Sequence, residues 1–289
     1  MASPLRGRVR SALSRLDPVD LALRLTLVAV LLRPVGDWRF RPLILVLCAG
    51  GLALPPLLRR PALWIALAAL AAARVIEDWP LPDNHAYLLA YWCLTAAITL
   101  RASEPARVLT LNARVLIGLV FLFAGLWKVA LSPDFLSNDF MRFTWITDDR
   151  FSDAAAVFGG MSADLLEANR DFLAGAPGAP SGLVEPAAFV WATRIATGWT
   201  VAAECALALL FLAPARLGLH RHRDALLMLF CVTTYAFAPV AGFAWLLLAM
   251  GIAQCEPGRV GLRSAYLATF GLILLYDQVP WLAWLAGRL

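Results

Sequence analysis

Apolar runs separated by short polar segments follow one another along almost the whole chain. A helix needs about 20 apolar residues to cross the hydrocarbon core of a bilayer, so these runs are typical of membrane-spanning helices, and the shorter ones need shielding by neighbours. The runs fall at about 18–33, 42–58, 61–76, 85–100, 108–131, 186–213, 224–238, 241–254 and 261–285. Pro239 and Gly242 interrupt the stretch 224–254, which predicts either one kinked helix or two short helices.

The positions of the arginines decide between these two alternatives. If the N-terminus is cytoplasmic, every second loop is also cytoplasmic. These loops carry arginines, as the positive-inside rule requires. Those arginines are Arg59, Arg60, Arg101, Arg107, Arg216, Arg221 and Arg223. A helix break at Pro239 also brings Arg259 and Arg263 to that side, whereas one kinked helix leaves them outside. We therefore expect about nine membrane segments, a cytoplasmic N-terminus and an outer C-terminus.

The only long stretch between apolar runs is 132–185, which carries nine acidic residues and falls on the outer side. Within it, 162–175 predicts a short amphipathic helix, with Ser162 as its N-cap and Gly175 at its end. The fold class is therefore all-α. We predict one polytopic transmembrane helix bundle over 1–289, with an outer-face insertion at about 132–185.

Composition supports this class and excludes others. The chain is 61% hydrophobic and 16% charged, whereas soluble globular domains average about 45–50% and 25%. The five cysteines are far apart and lie in or beside apolar runs, which favours small buried side chains. The net charge of +5 follows from loop arginines that membrane topology explains, so we expect no nucleic-acid partner. His220 and His222 have no third ligand nearby, and we expect no metal.

Lys128 is the only lysine in the chain. It lies about 6 Å inside the predicted end of its helix, close to Ser132 and Pro133. One interpretation is an anchor that extends to the interface and favours the helix dipole. The other is a side chain facing the bundle interior, where ionisable residues mark sites. Such a lysine loses its proton more easily and can serve as a general base. Ala124 and Gly125, on the same face, either admit a neighbouring helix or leave space for a flat ligand.

His85 opens the preceding apolar run, within PDNHAYLLAYW (82–92). It is either an interfacial residue at a helix end or part of a site. Because its helix starts on the side where the helix of Lys128 ends, and consecutive helices are usually neighbours, the two side chains are expected to share one outer-leaflet pocket.

Glu204 lies near the middle of the run 186–213. A carboxylate at that depth must be paired or protonated. It is either part of a site or a structural partner for an arginine such as Arg24, Arg74 or Arg194. Asp277, in the last run, has the same two interpretations.

Two stretches, DNHAYLLAYWCLTAAITL (83–100) and ARVLIGLVFLFAGLWKVAL (113–131), resemble signatures of the horizontally transferred transmembrane (HTTM) family. This is the membrane module shared with vitamin K-dependent gamma-carboxylase. The family's Asn-His-x-Tyr pattern matches Asn84, His85 and Tyr87. Its Ala-Gly-x-x-Lys pattern matches Ala124, Gly125 and Lys128. Glu204 matches an acidic residue in the following span, and GFAWLLLA (242–249) matches a short late segment.

The resemblance implies a fold, a substrate and residue roles. In the carboxylase, the matching lysine deprotonates reduced vitamin K, oxygen converts the hydroquinone to an epoxide, and the base so formed enables carboxylation of a peptide glutamate. By resemblance, Lys128 is the catalytic base and His85 assists it. The candidate pocket residues are Asn84, Tyr87, Gly125 and Glu204. The implied cofactor is reduced vitamin K or another hydroquinone, and the implied partners are the bilayer, a lipid-soluble quinone and a peptide.

We expect this chemistry without the propeptide-binding outer domain of the animal carboxylase, in a bacterial cytoplasmic membrane. Two alternatives remain open. Some family members resemble the membrane component of a sporulation-delaying toxin system, which suggests a role in maturation of a small secreted peptide. The third hypothesis is a non-catalytic scaffold in which Lys128 is only an anchor.

Overall fold

The chain forms an assembly of helices, with no strand among the described residues. The computed structural model describes residues 17–34, 36–79, 84–175, 182–238, 240–256 and 258–287. For Asn84, His85 and Ala215 it describes the backbone only. In chain order the helices are α1 (Pro18–Leu32), α2 (Arg41–Ala53), α3 (Pro55–Leu58), α4 (Pro61–Glu77), α5 (Asn84–Thr99), α6 (Pro105–Leu126), α7 (Pro133–Leu136), α8 (Asp139–Thr147), α9 (Ser152–Gly159), α10 (Ala163–Ala174), α11 (Ala187–Leu212), α12 (Arg223–Phe237), α13 (Ala241–Ala253), α14 (Val260–Gln278) and α15 (Trp281–Leu285). This confirms the all-α class.

Two helical stretches in the described chain are long and apolar enough to cross a membrane. They are Pro105–Leu131 and Ala187–Leu212, and shorter apolar helices include α2 and α13. The predicted break near Pro239 is confirmed, because α12 ends at Phe237 and α13 begins at Ala241 as a separate helix. The last predicted run is divided between α14 and α15.

Contacts at the helix ends give the relative directions of α1, α6, α13 and α14. At one end of the bundle, Arg59 hydrogen-bonds Asp17 and Asp20 at the start of α1, and the Thr110 hydroxyl donates to the Ala253 carbonyl. We call this the Arg59 end. At the other end, which we call the Lys128 end, Arg33 after α1 pairs with Asp277 on α14. A Cβ at Gly242, at the start of α13, would lie 3.3 Å from the Arg33 Cβ, so α13 runs antiparallel to α1 and to α14.

α13 is the central helix of the bundle, and its residues from Ala244 to Ala253 are all buried. Tryptophans fill much of the surrounding core, and their indole N–H groups find acceptors, as buried tryptophans require. Trp92 donates to the Thr26 hydroxyl at 2.8 Å, and Trp245 donates to the Phe270 carbonyl at 3.3 Å.

A buried polar cluster joins α12, α13 and α14 at the Arg59 end. The Tyr266 hydroxyl donates to Asp224 at 2.7 Å, and the Gln254 amide donates to the same carboxylate oxygen at 2.9 Å. Gly251 makes room for the Tyr266 ring, because a Cβ at that glycine would lie 2.3 Å from a ring carbon. The contact fixes how closely α13 and α14 approach.

Helices α7 to α10 form the 132–185 region, which packs on the first half of α11. Trp145, Phe151, Leu166 and Phe189 belong to its own small apolar core. The predicted amphipathic helix is α10. As expected, the Ser162 hydroxyl accepts from the Leu165 amide, and Gly175 ends the helix with a φ of +66°.

Candidate functional site

The site is built around an ion pair between Lys128 and Glu204. The Lys128 Nζ donates to both carboxylate oxygens of Glu204, at 2.7 and 3.0 Å. Only 17% of the lysine side chain and 9% of the glutamate side chain are exposed. The interior interpretation of Lys128 therefore describes its position better than the interface anchor does.

Lys128 occupies an unusual turn at the end of α6. Residues Trp127–Leu131 form a π-helical turn that continues the α-helix. A π-helical turn is rare, widens the helix by one residue per hydrogen-bonded loop, and is frequent at functional sites. It sets the direction of the lysine side chain relative to the rest of α6.

Small residues let α6 and α11 cross closely beneath the pair. A Cβ at Gly125 would lie 3.1 Å from the Cys205 Sγ, and one at Gly118 would lie 2.5 Å from a Leu212 methyl carbon. Of the two roles considered for Gly125, the structure favours close helix approach over ligand space. The crossing brings Lys128 within reach of a residue on the next long helix.

The 132–185 region covers the pair on its far side. The Phe135 ring on α7 lies 5.2 Å from the Lys128 Nζ, is 4% exposed, and stacks on Phe140. A cation near an aromatic face is attracted by the ring quadrupole. Phe135 therefore both shields the ammonium from water and stabilises its charge.

Asn138 holds this cover in place. Its side-chain amide donates to the Thr193 hydroxyl and its amide oxygen accepts from Thr197, each at 2.9 Å. Its backbone is left-handed, with a φ of +77°, a conformation that asparagine tolerates better than most residues. Sequence analysis missed this residue.

A signal for Asn138's partners was present in the sequence. Thr193, Thr197, Thr200 and Glu204 are spaced by four, three and four residues, which places them on one face of a helix. A polar stripe on an otherwise apolar helix indicates a face turned towards other protein. Asn138 itself carries no comparable pattern.

On the other side, α12 contributes aromatic rings. Tyr235 is buried, and its ring packs edge-on against Phe230. Phe230 in turn packs edge-on against Phe121 of α6. Aromatic rings of α12 therefore pack against α6.

The structure corrects two expectations. The partner of Glu204 is Lys128, not Arg24, Arg74 or Arg194, because the crossing of α6 and α11 leaves the carboxylate facing α6. Among the cysteines expected to be buried, Cys205 is exposed. It lies at the edge of the bundle, where Leu122 and Leu209 are also exposed.

The expected pocket shared by His85 and Lys128 stays a prediction. The side chains of Asn84 and His85 lie outside the described residues, although both belong to α5. Tyr87 is half-buried, and no hydrogen bond joins it to the ion pair in the described chain. A cavity adjoins the start of α5 at Ala86 and Leu89, but neither Lys128 nor Glu204 lines it.

Comparison with protein-family models, with curated proteins and with solved structures finds no match to this chain.

Proposed function

We propose that this chain is a membrane-embedded enzyme, related in chemistry to vitamin K-dependent gamma-carboxylase, in which Lys128 acts as a general base on a hydroquinone. The observation that carries the proposal is the ion pair between the only lysine and Glu204, shielded by Phe135 and joined by two hydrogen bonds. A charged pair that is largely buried is costly to maintain, and intramembrane ionisable groups mark functional sites.

The pair provides a way to make a neutral amine. Lys128 enters as an ammonium and Glu204 as a carboxylate. Transfer of one proton along the 2.7 Å hydrogen bond gives an uncharged amine and an uncharged acid, and apolar surroundings favour uncharged groups. The amine can then accept a proton from a phenolic hydroxyl, while Glu204 keeps the proton it received.

The residues present fit one requirement of a hydroquinone substrate, which is a proton acceptor in water-poor surroundings. When bound, a hydroquinone would supply two phenolic protons and the electrons that reduce oxygen. Phe135 restricts access of water to the amine. Beside Lys128, α6 and its π-helical turn have an exposed face that includes Phe123, Trp127 and Leu131. This face offers an apolar approach for a lipid-soluble molecule.

The membrane placement is part of the proposal. We assign about nine membrane segments, a cytoplasmic N-terminus and a bacterial cytoplasmic membrane. The 132–185 region then lies on the outer face with the Lys128–Glu204 pair beneath it. Support comes from the relative helix directions and from the arginines on the loops at the Arg59 end.

The direct test is epoxide formation from a reduced naphthoquinone in air by the purified protein in detergent. We expect the Lys128→Ala variant to lose turnover because no other lysine exists to replace the base. Arg194→Ala is the matched control, since it removes an exposed cation from the same region of α11 and should keep the wild-type rate.

Two other results would sink the proposal. If a correctly folded wild type forms no epoxide, peptide maturation becomes the better hypothesis, and an assay with a small secreted precursor peptide replaces the quinone assay. If Lys128→Met and Lys128→Arg behave as wild type in every assay, the chain is better described as a scaffold.

A further inference from the structure

A cavity of about 480 Å³ lies at the Lys128 end of the bundle, away from the ion pair. Its size falls within the range of about 300–1,000 Å³ typical of small-molecule sites. It forms where the ends of α1 and α4 meet the starts of α5 and α13. Small residues on these helices leave the space open, namely Ala29, Ala86, Ala241 and Gly242.

The cavity is amphipathic. Its floor is apolar and includes Val30, Leu89 and Leu246, whereas its rim carries charged side chains. The rim residues are Arg33, Asp37, Arg41, Arg74 and Asp78. Such an arrangement suits a molecule with one charged end and one apolar end.

Among the described residues, one cation of the rim has no ion-pair partner. Arg33 pairs with Asp277, and Arg74 pairs with Glu77 and Asp78. Arg41 is exposed and forms no ion pair or side-chain hydrogen bond within the described chain. Its guanidinium carries five donors in a planar fork that matches a carboxylate or phosphate.

Two tryptophans indicate the depth of the cavity mouth. Trp38 and Trp79 follow the rim residues Asp37 and Asp78 in the chain and are 78% and 71% exposed. Exposed tryptophans beside arginines are typical of the boundary between the hydrocarbon core and water. The mouth therefore lies at the level of lipid headgroups.

We propose that this cavity binds an anionic single-chain amphiphile, with the carboxylate or phosphate on Arg41 and the acyl chain against the floor between α1, α5 and α13. The site is separate from the proposed enzyme site, so either can fail without the other.

The test is equilibrium binding of radiolabelled oleate to the full chain in non-ionic detergent. We expect Arg41→Gln to weaken binding about tenfold, the effect of one lost charge-assisted hydrogen bond. Arg39→Gln is the matched control, because Arg39 is a nearby exposed arginine that pairs with Glu77 and does not line the cavity. Ala241→Leu, which fills the floor, should also weaken binding.

Two ligand comparisons complete the test. Methyl oleate has the same chain without the charge, so it should compete poorly for the wild-type site. Competition by oleoyl lysophosphatidate that exceeds competition by unlabelled oleate would identify a phosphate headgroup as the better ligand, and the reverse would identify a fatty acid. Equal oleate binding by wild type and Arg41→Gln would overturn the proposal, as would an equal loss in Arg39→Gln. Circular dichroism checks that each variant is folded.

Discussion

Lys128 and Glu204 are 76 residues apart in the chain and meet because two small residues let α6 and α11 cross closely. An isolated charge in this position has no compensation, whereas the pair satisfies both groups. The importance of each residue therefore depends on the other. The sequence predicted that both side chains matter, but it left open whether Glu204 belongs to a site or pairs with an arginine. Composition does not reveal the register between helices, and that register decides the pairing.

Replacing one member of the pair should lower the free energy of unfolding more than replacing both. We expect Glu204→Leu to lower the free energy of unfolding by about 3 kcal/mol, because it leaves the buried ammonium uncompensated. Adding Lys128→Met should recover most of that loss. Unfolding by SDS titration in mixed micelles measures both variants.

The exposed pair of Glu104 and Arg107 is the control for this cycle. The same substitutions there should leave stability nearly unchanged, since surface pairs contribute little. Similar losses for Glu204→Leu alone and for the double variant would show that the two charges are not coupled.

Asn138 should stabilise the fold through both its side-chain amide and its backbone conformation. Asn138→Ala removes hydrogen bonds to two threonines and places alanine at positive φ, so we expect a loss of about 2–3 kcal/mol. Asn138→Gly removes the same bonds but relieves the backbone, and its loss should be smaller. The difference between the two variants, from thermal unfolding, isolates the backbone contribution. Equal losses would contradict a role for the left-handed conformation.

Among the elements, the apolar runs predicted most helices well. The predicted runs at 42–58 and 108–131 correspond to α2 with α3 and to α6 with its π-helical turn, and the break near Pro239 follows from proline chemistry. The π-helical turn at Trp127–Leu131 carries no sequence signal, because its apolar residues are equally compatible with a continued α-helix. The short helices of the 132–185 region were also unpredicted, apart from α10, because only α10 has a clear cap and amphipathic pattern.

Two glycines, Gly251 and Gly198, provide a test of helix packing and its control. Gly251→Ala should destabilise the bundle by about 1–3 kcal/mol, because the new methyl would overlap the Tyr266 ring and force α13 and α14 apart. Gly198→Ala on α11 is the control, since a Cβ there would meet no atom within 4 Å. It should be neutral or slightly stabilising through helix propensity. Thermal unfolding measures the stability change of each variant. Equal changes for the two variants would argue against tight packing at Gly251.

For the whole molecule, the proposed topology can be tested by the accessibility of its loops. The 132–185 region and the loop around His220 lie beyond opposite ends of α11, so they should face opposite sides of the membrane. In a cysteine-free background, we expect Asp171→Cys to react with a membrane-impermeant maleimide in intact cells and His220→Cys to react only after lysis. Labelling of both positions in intact cells would contradict the assigned topology.

Chemical rescue of a variant that lacks the Lys128 amine tests whether this side chain is the base. The measurement is the rate of epoxide formation from a reduced naphthoquinone by Lys128→Ala, with and without a small free amine such as methylamine. We expect no turnover without the amine and partial recovery with it, since the space left by the lysine side chain can admit a substitute base. A Lys128→Ala variant that turns over at the wild-type rate without any amine would show that Lys128 is not the base.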